Sequence, residues 1–90
     1  MMKKILILGS NSFSGNHMVS FLLKKKYFVI GCSQSDQSPP KFNSLSMLPK
    51  DLKKNFIFQK VNINKDLKKV EKLILKHKPK IIIDFLGQGM

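Results

Sequence analysis

A short apolar run that leads straight into a glycine-bounded turn, and from there into an amphipathic stretch, sets the main limit on how this chain folds. Residues 3–8 (KKILIL) end in four consecutive apolar residues, the pattern of a strand buried on both faces. Residues 9–15 (GSNSFSG) are small and polar, with glycine at each end. Residues 16–27 place Met18, Phe21 and Leu22, with Val19 and Leu23, at three- and four-residue spacings, which predicts a helix with one apolar side. Lys24, Lys25 and Lys26 close it and suit the negative end of the helix dipole.

The alternation continues along the chain. Residues 28–32 (FVIGC) predict a second strand. Residues 33–50 form a Ser- and Pro-rich loop with Pro39, Pro40 and Pro49, and its structure is left open. Residues 56–61 (FIFQKV) predict a third strand. Residues 64–77 predict a second helix, with Asn64 as N-cap, Asp66 in the first turn and an apolar face of Leu67, Val70, Leu73, Ile74 and His77. Pro79 ends it. Residues 80–86 (KIIIDFL) predict a fourth strand. Apolar strands alternating with amphipathic helices argue for an α/β fold: a parallel sheet of four strands with helices on both faces. No repeat of fixed period and no domain boundary interrupts the pattern.

Composition excludes several classes. The chain has 90 residues, 42% of them apolar, which argues against wholesale disorder. No apolar run approaches the ~20 residues of a membrane span. The first eight residues imitate a signal peptide, but their apolar run falls short of the roughly 7–15 residues such a segment needs. One Cys forms no internal disulfide, and a reducing cytoplasm is the default expectation. The formal charge of +12 would suit a nucleic-acid partner. All 17 basic residues are Lys, however, and Arg carries most bidentate phosphate and base reading. The lysines are scattered over polar helix faces and element ends, as on a solvated surface.

Residues 3–15 carry the chemistry. A turn that cradles a pyrophosphate needs small residues, so that main-chain N–H groups come close to the ligand. The helix that follows then presents unpaired N–H groups and a positive dipole end to the phosphates. Gly9 leaves the strand, Ser12 occupies the middle position of the glycine spacing, and Gly15 sits early in the helix. Ser12 is small and carries a hydroxyl, but it narrows the approach of the backbone. The same glycines would also serve a tight turn and helix packing with no ligand.

With that turn in place, the chain resembles the N-terminal part of the extended short-chain dehydrogenase/reductase family, the NAD-dependent epimerase/dehydratase group typified by nucleotide-sugar 4,6-dehydratases and 4-epimerases. The likeness runs over essentially all 90 residues. The family's glycine turn matches Gly9, Ser12 and Gly15, with Phe13 and Ser14 between the last two. The end of its second strand matches Gly31, Cys32 and Ser33. Its acidic residue followed by Ile after the third strand matches Asn62 and Ile63. Its Ala-Ala-Gln-Ser stretch is similar to Leu86, Gly87, Gln88 and Gly89. The resemblance implies a Rossmann-like sheet, an incomplete doubly wound domain, and NAD or NADP as cofactor. It implies that Gly9, Ser12, Phe13 and Ser14 cradle the pyrophosphate and that Gly15 admits close packing. Ser33, Gln34 and Ser35 would face the adenosine ribose, Asn62 and Ile63 the adenine, and Leu86, Gly87 and Gln88 the nicotinamide.

Departures accompany the likeness. Ser33 and its neighbours replace the acid that would hold the ribose hydroxyls. Asn62 replaces another acid, though an amide still donates and accepts. The family's catalytic Tyr-x-x-x-Lys has no counterpart: Tyr27 is the only Tyr and Gly31 stands four residues on. On this resemblance residues 1–90 are the N-terminal part of an NAD(P)-binding domain, a fragment from which the sugar-binding C-terminal region is absent. The chain alone is expected to be inactive. A nucleotide-sugar substrate and a homodimer are expected only of a full-length protein. The alternative from another class is a non-catalytic nucleotide-sensing or basic nucleic-acid-binding module. Cys32 reads as a small buried hydrophobe and His17 as a partly exposed helix residue. Asp84 is a polar break in an apolar strand, either near the cofactor or at the sheet end, and no metal set is apparent. A bare fourth strand would expose residues 81–83 at an edge, an aggregation risk, and so short a parallel unit buries only a modest core.

Overall fold

The computed structural model of the chain describes residues 3–11, 13–34, 48–62 and 65–85. Its elements follow the order β1 (Lys4–Leu8), α1 (Phe13–Lys24), β2 (Phe28–Ser33), α2 (Lys50–Lys53), β3 (Phe56–Lys60), α3 (Leu67–His77) and β4 (Ile81–Asp84). The strands form one parallel sheet in the order β3-β2-β1-β4. Leu8 stands level with Cys32 on one side and with Asp84 on the other.

The apolar run of β1 is buried on both faces because a helix covers each. Ile5 and Ile7 pack with Val19, Leu22 and Leu23 of α1 and with Val29 of β2. Leu6 packs on the opposite face with Ile30, Cys32, Val61 and Val70, the last from α3. The Rossmann-like sheet expected from the sequence is therefore present, with α1 and α3 on opposite faces.

Helix α1 starts three residues before its expected beginning, so Phe13, Ser14 and Gly15 form its first turn. Ser and Gly have weak helix propensity, and packing against the sheet overrides it. Its end is closed by Lys26 at φ 67°, with Lys26 N–H donating to Leu23 C=O at 2.9 Å and Tyr27 N–H to Leu22 C=O at 3.1 Å. That pair of bonds is a Schellman closure, usually built on glycine. Helix α3 starts at Leu67 with Asp66 at the N-cap position, so Asp66 precedes the first turn. The expected cap Asn64 lies outside the described residues. Lys78, left-handed at φ 48°, ends α3 before Pro79.

Helix α2 escaped the sequence reading, which left the loop open. Pro49 at its N-cap and Asp51 in its first turn are the signals that mark it. Leu48, just ahead of it, is buried against the α1 face. β4 is shorter than expected, and Ile81 and Ile82 remain 50% and 48% exposed. An outer strand has a neighbour on one side only, which is why its apolar residues are half open.

Candidate functional site

All four strands run the same way, so their carboxyl ends share one rim of the sheet. β1 lies between β2 and β4: the strand order runs outward from β1 through β2 to β3, and the chain then returns to place β4 on the other side of β1. Such a reversal opens a crevice at the carboxyl ends of the strands, where ligands of open α/β sheets bind.

The glycine turn occupies that point. Gly9 has φ 83°, a backbone region that L side chains rarely enter. The turn is tied to β2, because the Cys32 carbonyl accepts Gly9 N–H at 2.7 Å and Ser10 N–H at 3.0 Å. Those two N–H groups are therefore engaged within the protein. The contribution of Gly9 is the left-handed bend. The first turn of α1 contains no acidic residue to neutralise the positive end of the helix dipole. Phe13 and Ser14 stand in that turn, with Ser14 exposed and Gly15 buried beside them. Ser12 lies outside the described residues.

The ends of β2 and β3 form the next part of the rim. Ser33 closes β2 and is 8% exposed, while Gln34 follows it and is open to solvent. Ser33 stands level with Lys60, and its carbonyl accepts Val61 N–H at 2.8 Å. Asn62 is half-buried, and its carbonyl accepts Lys65 N–H at 3.0 Å and Asp66 N–H at 2.6 Å, which turns the chain toward α3. On the other side Phe85 N–H donates to Leu8 C=O at 2.8 Å, so Phe85 lies beside the end of β1, next to the glycine turn. Asp84, exposed, stands at that sheet end. The folded chain thus brings Gly9, Ser14, Gly15, Ser33, Gln34 and Asn62 to one end of the sheet. Ser35, Ile63, Leu86, Gly87 and Gln88 lie outside the described residues.

The residues present fit a pyrophosphate, since a left-handed glycine bend feeds a helix N-terminus free of carboxylates. Other chemistry at this rim is weak. Burial pushes the Cys32 thiol up to about 11, so it is not a nucleophile near neutral pH. Tyr27 sits between α1 and β2, at the opposite end of the strand from Ser33. A groove of about 290 Å³ is lined by Gln59, Lys69, Lys72, Leu73 and Lys76, none of them a residue of the glycine rim. Among the described residues no group of three His, Cys, Asp or Glu side chains is placed to hold a metal ion. No described helix is long and apolar enough to cross a membrane.

A family profile described as GDP-mannose 4,6 dehydratase matches residues 6–90. The chain belongs to the GDP-mannose 4,6-dehydratase family. Family membership accounts for the strand–turn–helix at the N-terminus and agrees with the epimerase/dehydratase resemblance. Among solved structures, the fold of this family member is similar to the UDP-glucose 4-epimerase of the hyperthermophilic eubacterium Thermotoga maritima, determined with UDP-glucose. The TM-score is 0.69 at 23% identity, over 96% of this chain and 25% of that one. At that identity the likeness concerns the fold. The chain spans a quarter of the epimerase's length. Among curated proteins no relative matches.

Proposed function

We propose that residues 1–90 form the N-terminal part of the NAD(P)-binding domain of a nucleotide-sugar dehydratase or epimerase. One observation carries this reading: Gly9, left-handed at φ 83°, delivers the chain from the central strand to an acid-free helix N-terminus at the reversal point of the sheet. In this reading the first-turn N–H groups of α1 hold the pyrophosphate, with Ser12, Phe13 and Ser14 alongside. Ser33, Gln34 and Ser35 face the adenosine ribose. Asn62 and Ile63 flank the adenine, and Leu86, Gly87 and Gln88 the nicotinamide. NAD and NADP are both admitted, because Ser33 and Gln34 place no carboxylate against a 2′-phosphate.

The bound nicotinamide would take a hydride from the sugar and return it. This chain's part is to bind and orient the cofactor. The acid/base Tyr-x-x-x-Lys pair and the sugar site belong to the rest of a full-length protein, which this reading places in the cytoplasm. Residues 1–90 alone bind the dinucleotide weakly and catalyse nothing.

Calorimetric titration of the chain with NAD⁺ and with NADP⁺, at low and moderate salt, tests this. Saturable one-to-one binding of either, with little salt dependence, is expected. No binding refutes the reading. Tight binding of single-stranded nucleic acid that collapses with salt would favour the basic binding module instead.

A further inference from the structure

Ser10 follows the glycine bend and is 2% exposed, and its Oγ has no hydrogen-bond partner among the described residues. A buried hydroxyl left unpaired costs stability, so something else fixes the side chain there. Its surroundings show what. A Cβ added at Gly31 would lie 2.7 Å from Ser10 Oγ, 2.8 Å from Ser10 Cβ and 2.9 Å from Phe56 Cε1. Real Cβ atoms do not come within 3.0 Å of a neighbour. One residue further along β2, the Cys32 carbonyl takes the N–H groups of Gly9 and Ser10. The turn is thus bonded to β2 at Cys32, and the Ser10 side chain occupies the space that a Cβ at Gly31 would take. The next residues of β2 are Ser33 and Gln34.

We propose that Gly31 is a positioning residue of the dinucleotide site. Its bare Cα gives Ser10 a seat, and that seat holds the glycine turn and the start of α1 at a fixed place relative to Ser33 and Gln34. Gly31 touches no ligand and acts through Ser10. This role rests on the dinucleotide reading above. Gly31 has ordinary strand backbone, so alanine is conformationally allowed there and the effect is one of space alone. The strand itself cannot retreat, because it is bonded to β1 and β3 on its two sides. The Phe56 ring is the end of a side chain and can rotate away. Ser10 carries the displacement, because Cβ and Oγ both stand in the way.

The test compares the native chain with Gly31→Ala, Ser10→Gly, Ser10→Ala and the Gly31→Ala/Ser10→Gly double variant. Two quantities are read: amide hydrogen exchange at Gly9 and Ser10 by NMR, against Ile30 as reference, and NAD⁺ or NADP⁺ affinity by calorimetry below the melting temperature. Gly31→Ala is expected to speed exchange at Gly9 and Ser10 and to weaken binding by about tenfold, the scale of one overpacked contact. The double variant is expected to return both to about the level of Ser10→Gly alone. Ser10→Ala keeps its Cβ in the seat and is expected to bind as the native chain does. If Gly31→Ala does not fold, Ser10→Thr crowds the same contact from the other side and is expected to shift both readouts in the same direction. Unchanged exchange and affinity with a lowered melting point would overturn the proposal, leaving Gly31 a packing residue. Failure of the double variant to recover would also overturn it. A native chain that binds neither dinucleotide overturns the dinucleotide reading and the positioning role with it, and the exchange data then still report whether the Ser10 seat exists.

Discussion

Replacing Gly9 by each enantiomer of alanine separates backbone strain from lack of space. At φ 83° an L residue brings its Cβ against the following carbonyl, at a cost of about 1–2 kcal/mol. A D residue finds the same φ favourable. Either enantiomer narrows the unfolded ensemble relative to glycine by about 0.4–1 kcal/mol, so that gain cancels between the two. The two variants should therefore differ by the strain alone, about 1–2 kcal/mol, roughly five- to thirtyfold in the folding equilibrium. For a chain of this size that corresponds to a melting-temperature gap on the order of 10 °C, with the native chain between them. The Gly31–Cys32 junction allows the assembly: a synthetic segment 1–31 carrying D- or L-Ala is ligated to segment 32–90 at its N-terminal Cys. Thermal unfolding followed by far-UV circular dichroism gives the two midpoints. Equal losses in both variants would refute the argument, because crowding at Gly9, and not its dihedral angle, would then require glycine.

The same logic reverses at Lys26, an L residue at φ 67°, where Lys26→Gly is expected to stabilise by about 1 kcal/mol in urea unfolding. Leu23 is fully buried between α1 and the sheet, and Leu23→Ala should cost about 2–5 kcal/mol, a large part of the stability of a 90-residue chain. The Cys32 thiol, pushed up to about 11 by burial, should react with iodoacetamide at pH 8 on the order of a hundredfold more slowly in the native chain than in urea. His77 is held below the ordinary imidazole value by burial first, then by Lys4 and Lys76. The unfolded chain therefore takes up the proton more readily, and stability should fall as pH drops below about 6.5 toward the lower folded value. His77→Gln should flatten that slope in urea midpoints compared at pH 7.5 and pH 5.5.

The strands were legible because continuous apolar runs leave few alternatives, and β1 shows why. Ile5, Leu6 and Ile7 have no polar neighbour to turn outward, so both faces need a cover, and the flanking amphipathic stretches provide it. The start of α1 was not legible. Phe13, Ser14 and Gly15 read as turn by composition, yet they form the first turn of a helix whose core contacts, Val19, Leu22 and Leu23, lie further along. Gly31 was legible only as a match to the family's strand end. Its physical role depends on Ser10 standing across from it, twenty-one positions away in the chain, which no local pattern reports. Both positive-φ lysines were hidden for the opposite reason, since glycine is the expected signal at such closures and neither site has it.

Burial is uneven across the sheet, and the unevenness bears on the site. β1 and β2 are buried through their middles, whereas β3 and β4 alternate between half-buried and exposed residues. The glycine turn and the Ser33 end of β2 both hang on that best-packed pair, joined by the Cys32 carbonyl and the Ser10 seat. Asn62, which the proposal sets beside the adenine, follows the more open strand β3. Local opening begins where few apolar contacts resist it, so β3 and β4 should open before the β1–β2 pair and the turn it carries. A dinucleotide would then meet a turn already formed on β1 and β2. It would bear the ordering cost of the flanking strands itself, which is the physical reason residues 1–90 alone should bind it weakly.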